Sequence, residues 1–153
     1  MISGVKLIAL TRHVDDRGYL MEILRSDADH FQRFGQAYVT TCEVQPSGPV
    51  VKAWHRHEKQ TDHFCCLVGK ARVGLYDDRE GSPTRGETMS VILGGGRDCL
   101  LVIPPDVWHG FMALGFEAAM ILNLPTELFN YDQPDEIRAP SDAFEFDWDV
   151  KSR

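Results

Sequence analysis

The 153-residue chain is 43% hydrophobic and 25% charged, a balance that excludes a wholly disordered or fibrous protein and fits one domain (1–153) with a core of its own. Sixteen Lys and Arg against 23 Asp and Glu leave a net charge of −7, which repels phosphate backbones at long range and argues against nucleic acid as a partner. No apolar run approaches the roughly 20 residues that span a bilayer, and Met1-Ile2-Ser3-Gly4-Val5-Lys6 lacks the marks of a secretory signal, so a cytoplasmic protein without a membrane partner is expected.

Short apolar or alternating runs follow one another along the chain. Strands are predicted at 19–24, 36–44, 49–54, 63–68, 71–76, 89–93, 99–103, 108–114 and 118–124. Turn residues punctuate them at Pro46-Ser47-Gly48, Gly69-Lys70, Gly81-Ser82-Pro83, Gly94-Gly95-Gly96 and Pro104-Pro105-Asp106. A short helix is predicted over 26–34, with Ser26 as N-cap and Gly35 just past its end. After Pro125 the pattern changes to an acidic, proline-punctuated tail, about 130–153, in which Phe144, Phe146 and Trp148 alternate like a strand or a packing arm. Many short strands with frequent turns predict an all-β sandwich or barrel. The cysteines Cys42, Cys65, Cys66 and Cys99 form no CxxC pair and read as free buried thiols, with at most one of the adjacent pair facing a core.

Three of the six histidines fall in the stretch His55-Arg56-His57-Glu58-Lys59-Gln60-Thr61-Asp62-His63. On a strand, alternate side chains share a face, so His55 and His57 point together while Trp54 and Arg56 point away. Only one of Asp62 and His63 can join them. A further member comes from Pro104-Pro105-Asp106-Val107-Trp108-His109, a turn leading into the next strand. His63 reads as structural; His13 and His30 read as surface residues.

This spacing resembles the two motifs of the cupin superfamily. His55, His57, Asp62 and Gly69 match the first, and Pro104 and His109 the second; Asp106 stands where cupins favour Gly, and Ala113 where they favour Asn. Three imidazoles and a carboxylate form a site suited to Fe, Mn, Ni or Zn. A closer resemblance runs along nearly the whole chain. Asp15-Asp16-Arg17-Gly18-Tyr19-Leu20-Met21-Glu22 is similar to the opening motif of the dTDP-4-dehydrorhamnose 3,5-epimerase family, a metal-independent branch of the cupin fold. Gln36, Val51-Lys52-Ala53-Trp54-His55, Leu75-Tyr76-Asp77-Asp78-Arg79 with Ser82, and Ile103-Pro104-Pro105 with His109-Gly110-Phe111 follow the same family's order.

The resemblance implies a cupin-type double-stranded β-helix, a jelly roll with short helical segments, that inverts carbons flanking the ketone of a nucleotide-linked 4-keto-6-deoxy sugar in deoxysugar or surface-polysaccharide biosynthesis. A histidine base suits that chemistry, and by resemblance it is His55. Arg17 matches a diphosphate contact, Glu22 a nucleotide contact and His109 a second pocket histidine; Lys52 replaces a substrate-holding arginine, and His57 is either a pocket residue or a polar wall. Two positions depart from the family. Asp62 replaces an enolate-stabilising lysine, and Leu122 replaces the tyrosine that acts as acid. Asp62 either orients a histidine base, the preferred reading, or joins His55, His57 and His109 as ligand to a divalent transition metal. The expectation is an epimerase or isomerase needing no cofactor; the alternatives are a metal-dependent cupin oxygenase or isomerase, and a non-catalytic sugar-nucleotide-binding cupin. A homodimer is also expected, because the edges of a small antiparallel sandwich need covering.

Overall fold

The alternating runs fold as strands, in a computed structural model that describes residues 1–150; positions 151–153 of the expected arm lie outside the described residues. In chain order the first seven strands are β1 (Lys6–Ala9), β2 (Arg12–Asp15), β3 (Gly18–Met21), β4 (Tyr38–Cys42), β5 (Val44–Gln45), β6 (Gly48–Pro49) and β7 (Val51–Arg56). They are followed by β8 (Asp62–Val68), β9 (Lys70–Asp77), β10 (Thr88–Gly94), β11 (Cys99–Ile103), β12 (Val107–Ala113), β13 (Ala119–Asn123) and β14 (Ile137–Arg138).

Two five-stranded sheets are ordered β1-β11-β8-β13-β4 and β10-β9-β12-β7-β14, and the ribbons β2–β3 and β5–β6 stand beside them. All pairings in the two large sheets are antiparallel. From β7 to β13 the chain passes repeatedly from one sheet to the other, which is the wiring of a jelly roll. The all-β expectation therefore holds, and the six strands from β8 to β13 begin and end within one residue of the sequence reading.

The predicted helix at 26–34 does not form. Ala28 N–H donates to the Arg25 carbonyl and Phe31 N–H to the Ala28 carbonyl, two separate turns, while Gly35 N–H is taken by the Pro125 carbonyl at 2.9 Å. A Cβ at Gly35 would lie 2.4 Å from the Glu127 backbone, so contact with the segment after β13 shapes this stretch and overrides its local cap signal. No α-helix occurs among the described residues. Strands β1, β2 and β14 were not predicted; all of β2 and β14 is exposed or edge-lying, so neither carries an alternating pattern.

The main core lies between the sheets, with Phe64, Val73, Leu75, Leu93, Leu101 and Ile121 almost fully buried. A second cluster covers the outer face of the first sheet, where Cys65, Leu100 and Val102 meet Ile8, Leu10, Met21, Ile23 and Leu24. The adjacent cysteines therefore both reach a core, Cys66 the inner and Cys65 the outer; the expectation that at most one does is corrected by the N-terminal segment, which covers the second face. All four thiols are free. Asp77 ends β9 as a structural anchor, its carboxylate accepting from Arg79, Ser82 and Thr84 at 2.6–2.8 Å, while Arg79 reaches on to the Ser3 carbonyl.

The tail forms the arm that its alternation predicts. Phe144, Phe146 and Trp148 pack around Trp54 with ring centroids 5.1–5.4 Å away, and Phe144 also stacks on Tyr76 at 4.3 Å. Gly74 permits this approach: a Cβ there would lie 2.7 Å from the Trp148 ring. The arm thus covers the outer face of the second sheet and leaves that sheet's inner face to the site.

Candidate active site

Strand β7 sorts its side chains by parity, as the sequence implies. Trp54 turns outward to the arm, Arg56 lies over Trp108 with its guanidinium 5.2 Å from the ring centroid, and His55 and His57 turn to the cavity side. Strand β12 lies beside β7 with His109 paired directly with His55, which sets the two rings 4.1 Å apart. The turn into β12 takes the left-handed conformation at Asp106, with φ 62°, the position where the resemblance sets a glycine. Asp106 is tied down by Arg56 at 2.8 Å, and its N–H donates to the His57 carbonyl, so this turn and the end of β7 are fixed together.

Asp62 enters from the start of β8, on the facing sheet, and is 1% exposed. Its Oδ2 lies 3.0 Å from His109 Nε2 and 3.4 Å from His57 Nε2. The other ring nitrogens are held by the backbone, His109 Nδ1 by the Val107 carbonyl and His57 Nδ1 by the Asp135 carbonyl, so each ring presents Nε2 to the carboxylate. Asp62 Oδ1 accepts from Gln60 Nε2 and Asn123 Nδ2, both at 2.7 Å. Burial alone would raise this carboxyl's pKa, but His109, His57 and Asn123 together hold it well below the usual carboxylate range. Asp62 is thus the charged hub of the cluster.

His55 differs from its two neighbours. Its ring touches His57 and His109 but has no hydrogen-bond partner among the described residues. Two cavities, of about 490 and 520 Å³, open on either side of it, and both are lined by His55, Tyr38 and Glu136. Burial, and next the adjacent His109, push the His55 imidazole well below its ordinary 6.5, which keeps it neutral and able to accept a proton at neutral pH. Lys52 and Arg138 line the first cavity, and His57 and Asp135 the second.

The remaining candidates fall elsewhere. Arg17 and Glu22 lie on or just after the β2–β3 ribbon, paired with Asp15 and Arg25, and line neither cavity; one chain does not bring them to the cluster. His63 is fully buried, with Nδ1 on the Leu124 carbonyl, a structural residue as expected; His13 is exposed and His30 partly so. Leu122 pairs with Val39 and Cys65, and Cys65 belongs to the outer cluster, so Leu122 faces away from the cavities. The inward residue at that level is Asn123, paired with Tyr38 and Phe64. Sequence reading missed Asn123, Tyr38, Gln60 and Asp135. The first had a signal, an asparagine inside the apolar run Ala118–Leu124; Asp135 had none, since its carboxylate collects the N–H groups of Glu58, Lys59 and Gln60 from 75–77 positions away.

Comparison with known proteins agrees with this geometry. The family model described as dTDP-4-dehydrorhamnose 3,5-epimerase matches residues 1–153. A probable low-salt glycan biosynthesis epimerase of Haloferax volcanii, Agl13, is 41% identical over 153 residues, covering 98% of this chain and 96% of that protein. The spore coat polysaccharide biosynthesis protein SpsL of Bacillus subtilis is 42% identical over 155 residues, with both chains fully covered. A crystal structure of a dTDP sugar isomerase from Desulfovibrio desulfuricans superposes with a TM-score of 0.86 at 37% identity, over 96% of this chain and 92% of that one. The sheet order, the histidine-lined inner face and a match from the first residue to the last lead to one conclusion: the chain belongs to the dTDP-4-dehydrorhamnose 3,5-epimerase family of sugar-nucleotide epimerases and isomerases.

Proposed function

We propose that this protein is an epimerase or isomerase of a nucleotide-linked 4-keto-6-deoxy sugar, serving glycan or surface-polysaccharide biosynthesis in the cytoplasm, with His55 as the base. The observation that carries the reading is the placement of the His55 ring, without a hydrogen-bond partner among the described residues and lining two cavities at once. A carbon next to a ketone is acidified because the electron pair left by its proton delocalises onto the carbonyl oxygen. His55 takes that proton, and protonation from the opposite side inverts the centre. The balance is proton transfer alone, so the reaction calls for no cofactor. Lys52 and Arg138 supply positive charge for the diphosphate at the first cavity. Asp62 serves as the positioning residue, holding His57 and His109 around the base.

Arg17 and Glu22 require a second subunit. The β2–β3 ribbon joins neither large sheet and exposes Val14, Tyr19 and Leu20, so we place it across the interface of a homodimer, carrying both residues to the partner's cavity. Light scattering that shows a monomer at micromolar concentration removes this part. For the reaction itself, the protein is incubated in D₂O with dTDP-4-keto-6-deoxyglucose. Deuterium appearing at carbons flanking the ketone, followed by product of inverted configuration, is the expected result; neither appearing overturns the proposal.

A second reading rests on the same histidines. One nitrogen each from His55, His57 and His109 lie within 4.8 Å of one another beside the Asp62 carboxylate, a donor set that fits a divalent transition metal. Such an ion would supply Lewis acidity at the substrate's carbonyl oxygen. Elemental analysis of untagged protein decides between the two, with a stoichiometric metal favouring the second.

A further inference from the structure

The first reading leaves the acid unassigned, because Leu122, aligned by resemblance with the family's tyrosine, turns its side chain to the outer cluster, and the inward residue beside it, Asn123, has no acidic proton to give. Two tyrosines stand at the cavities. Tyr131 is 88% exposed and leans on Phe129. Tyr38 is rooted in the first strand-to-strand contact beyond β13, where it pairs with Asn123, and it lines both cavities together with His55. The two residues come from opposite walls: Tyr38 from β4 at the edge of one sheet, His55 from β7 near the edge of the other. Inversion needs that arrangement, since the proton must leave one face of the carbon and return to the other.

The surroundings of Tyr38 also suit a donor. Asn123 Nδ2 donates to the Tyr38 oxygen at 2.8 Å, so the phenol's own proton is free to point into the cavity. The same amide nitrogen reaches Asp62 Oδ1 at 2.7 Å, and Asn123 Oδ1 accepts the His63 N–H at 3.0 Å, which fixes the amide's orientation and ties the phenol to the charged hub. Burial, then the Asp62 charge, push the phenol up to about 12, so it stays protonated through the neutral range.

Resting on the proposed epimerase reading, we infer that Tyr38 is the acid, a phenol supplied from β4 in place of the tyrosine that the family carries on β13. His55 removes the C–H proton, the electron pair moves to the carbonyl oxygen as an enolate, and the enolate's return bonds the carbon to the proton of the Tyr38 hydroxyl. One turnover leaves an imidazolium and a phenolate, and net passage of one proton through solvent restores both.

The test uses the full chain with dTDP-4-keto-6-deoxyglucose in D₂O. Tyr38→Phe removes only the hydroxyl. Its expected effect is a loss of inverted product of roughly a hundredfold or more, while His55 continues to exchange deuterium into recovered substrate and dTDP binding by calorimetry stays within about threefold. Incorporation of 3-fluorotyrosine at position 38, which lowers the phenol pKa, should move the alkaline limb of kcat downward. Tyr38→Phe that inverts at the wild-type rate overturns the assignment, as does loss of inversion in Tyr131→Phe with Tyr38→Phe active. Equal loss of exchange, inversion and nucleotide binding in Tyr38→Phe overturns it too, by making Tyr38 a structural residue. Wild-type protein that neither exchanges nor inverts removes the epimerase reading itself, an outcome distinct from all of these.

Discussion

The two faces of the β10-β9-β12-β7-β14 sheet are built from the same dipeptide and put to opposite uses. Trp54-His55 on β7 and Trp108-His109 on β12 each send an indole outward and an imidazole inward. Outside, the indoles meet Phe144, Phe146 and Trp148 in ring contacts of 5.1–5.4 Å. Inside, the imidazoles meet one another, a buried carboxylate and two cavities. The outer face stabilises by excluding water from aromatic area; the inner face keeps polar groups buried, which costs stability unless each is paired. Strand parity alone separates the two, so a change on one face should leave the other's property intact.

The most severe way to break this division is His55→Ala. Turnover should fall by roughly 10²–10⁴-fold, the range of a general base, while the urea midpoint stays near wild type because the ring faces the cavities and makes no hydrogen bond among the described residues. Wild-type deuterium exchange in this variant would remove His55 as the base. Next comes Asp62→Asn, which keeps shape and removes the hub's charge; kcat should drop by roughly a hundredfold. Metal that is stoichiometric in the wild type and lost in this variant, with activity restored by added metal, would instead promote the metal-dependent reading.

On the outer face, Trp148→Ala should cost about 2 kcal/mol of unfolding free energy, read from urea melts, with kcat of the folded protein unchanged. A fall in kcat comparable to that of Asp62→Asn would show that the two faces are not independent. The mildest test is pH. His55 and His63 are both held below their ordinary 6.5, so the unfolded chain binds protons first as pH falls. Stability is full above about 6.5 and declines below it. Asp62, also held low, adds a second decline as pH drops below its ordinary 3.8. A urea midpoint that stays flat from pH 8 to 5 would contradict the first part.

How much of this was written in the sequence differs between the faces in the same physical way. The strands from β8 to β13 were legible as short apolar or alternating runs bounded by turn residues, continuous where both faces are covered, as in β11 and β12, and alternating where one is, as in β13. The His55–His57 pairing was legible for the same reason, and so was the arm's alternation. The helix read into 26–34 shows the limit: Ser26 and Gly35 are sound local signals, yet Gly35 is pinned to Pro125 and Glu127, ninety positions on. The site shows it again. Asp62 was placed beside His55 or His57 by proximity in sequence, and it does reach His57, but the histidine nearest to it is His109 on another strand. Leu122 was aligned one residue away from the inward-facing Asn123, and a one-residue slip on a strand exchanges the two faces.

Gly74 carries a consequence for how such chains diversify. With a Cβ, position 74 would stand 2.7 Å from Trp148 and 2.8 Å from Phe146, too close for the arm to stay seated. A side chain at 74 therefore conflicts with the rings of 146 and 148 as they are now placed, and one or the other has to shift. Across homologues, these positions should vary as a set: an alanine at 74 accompanied by smaller residues in the arm, or by an arm that docks elsewhere. The seating of a tail seventy residues downstream thus depends on a position in mid-strand that lines neither cavity.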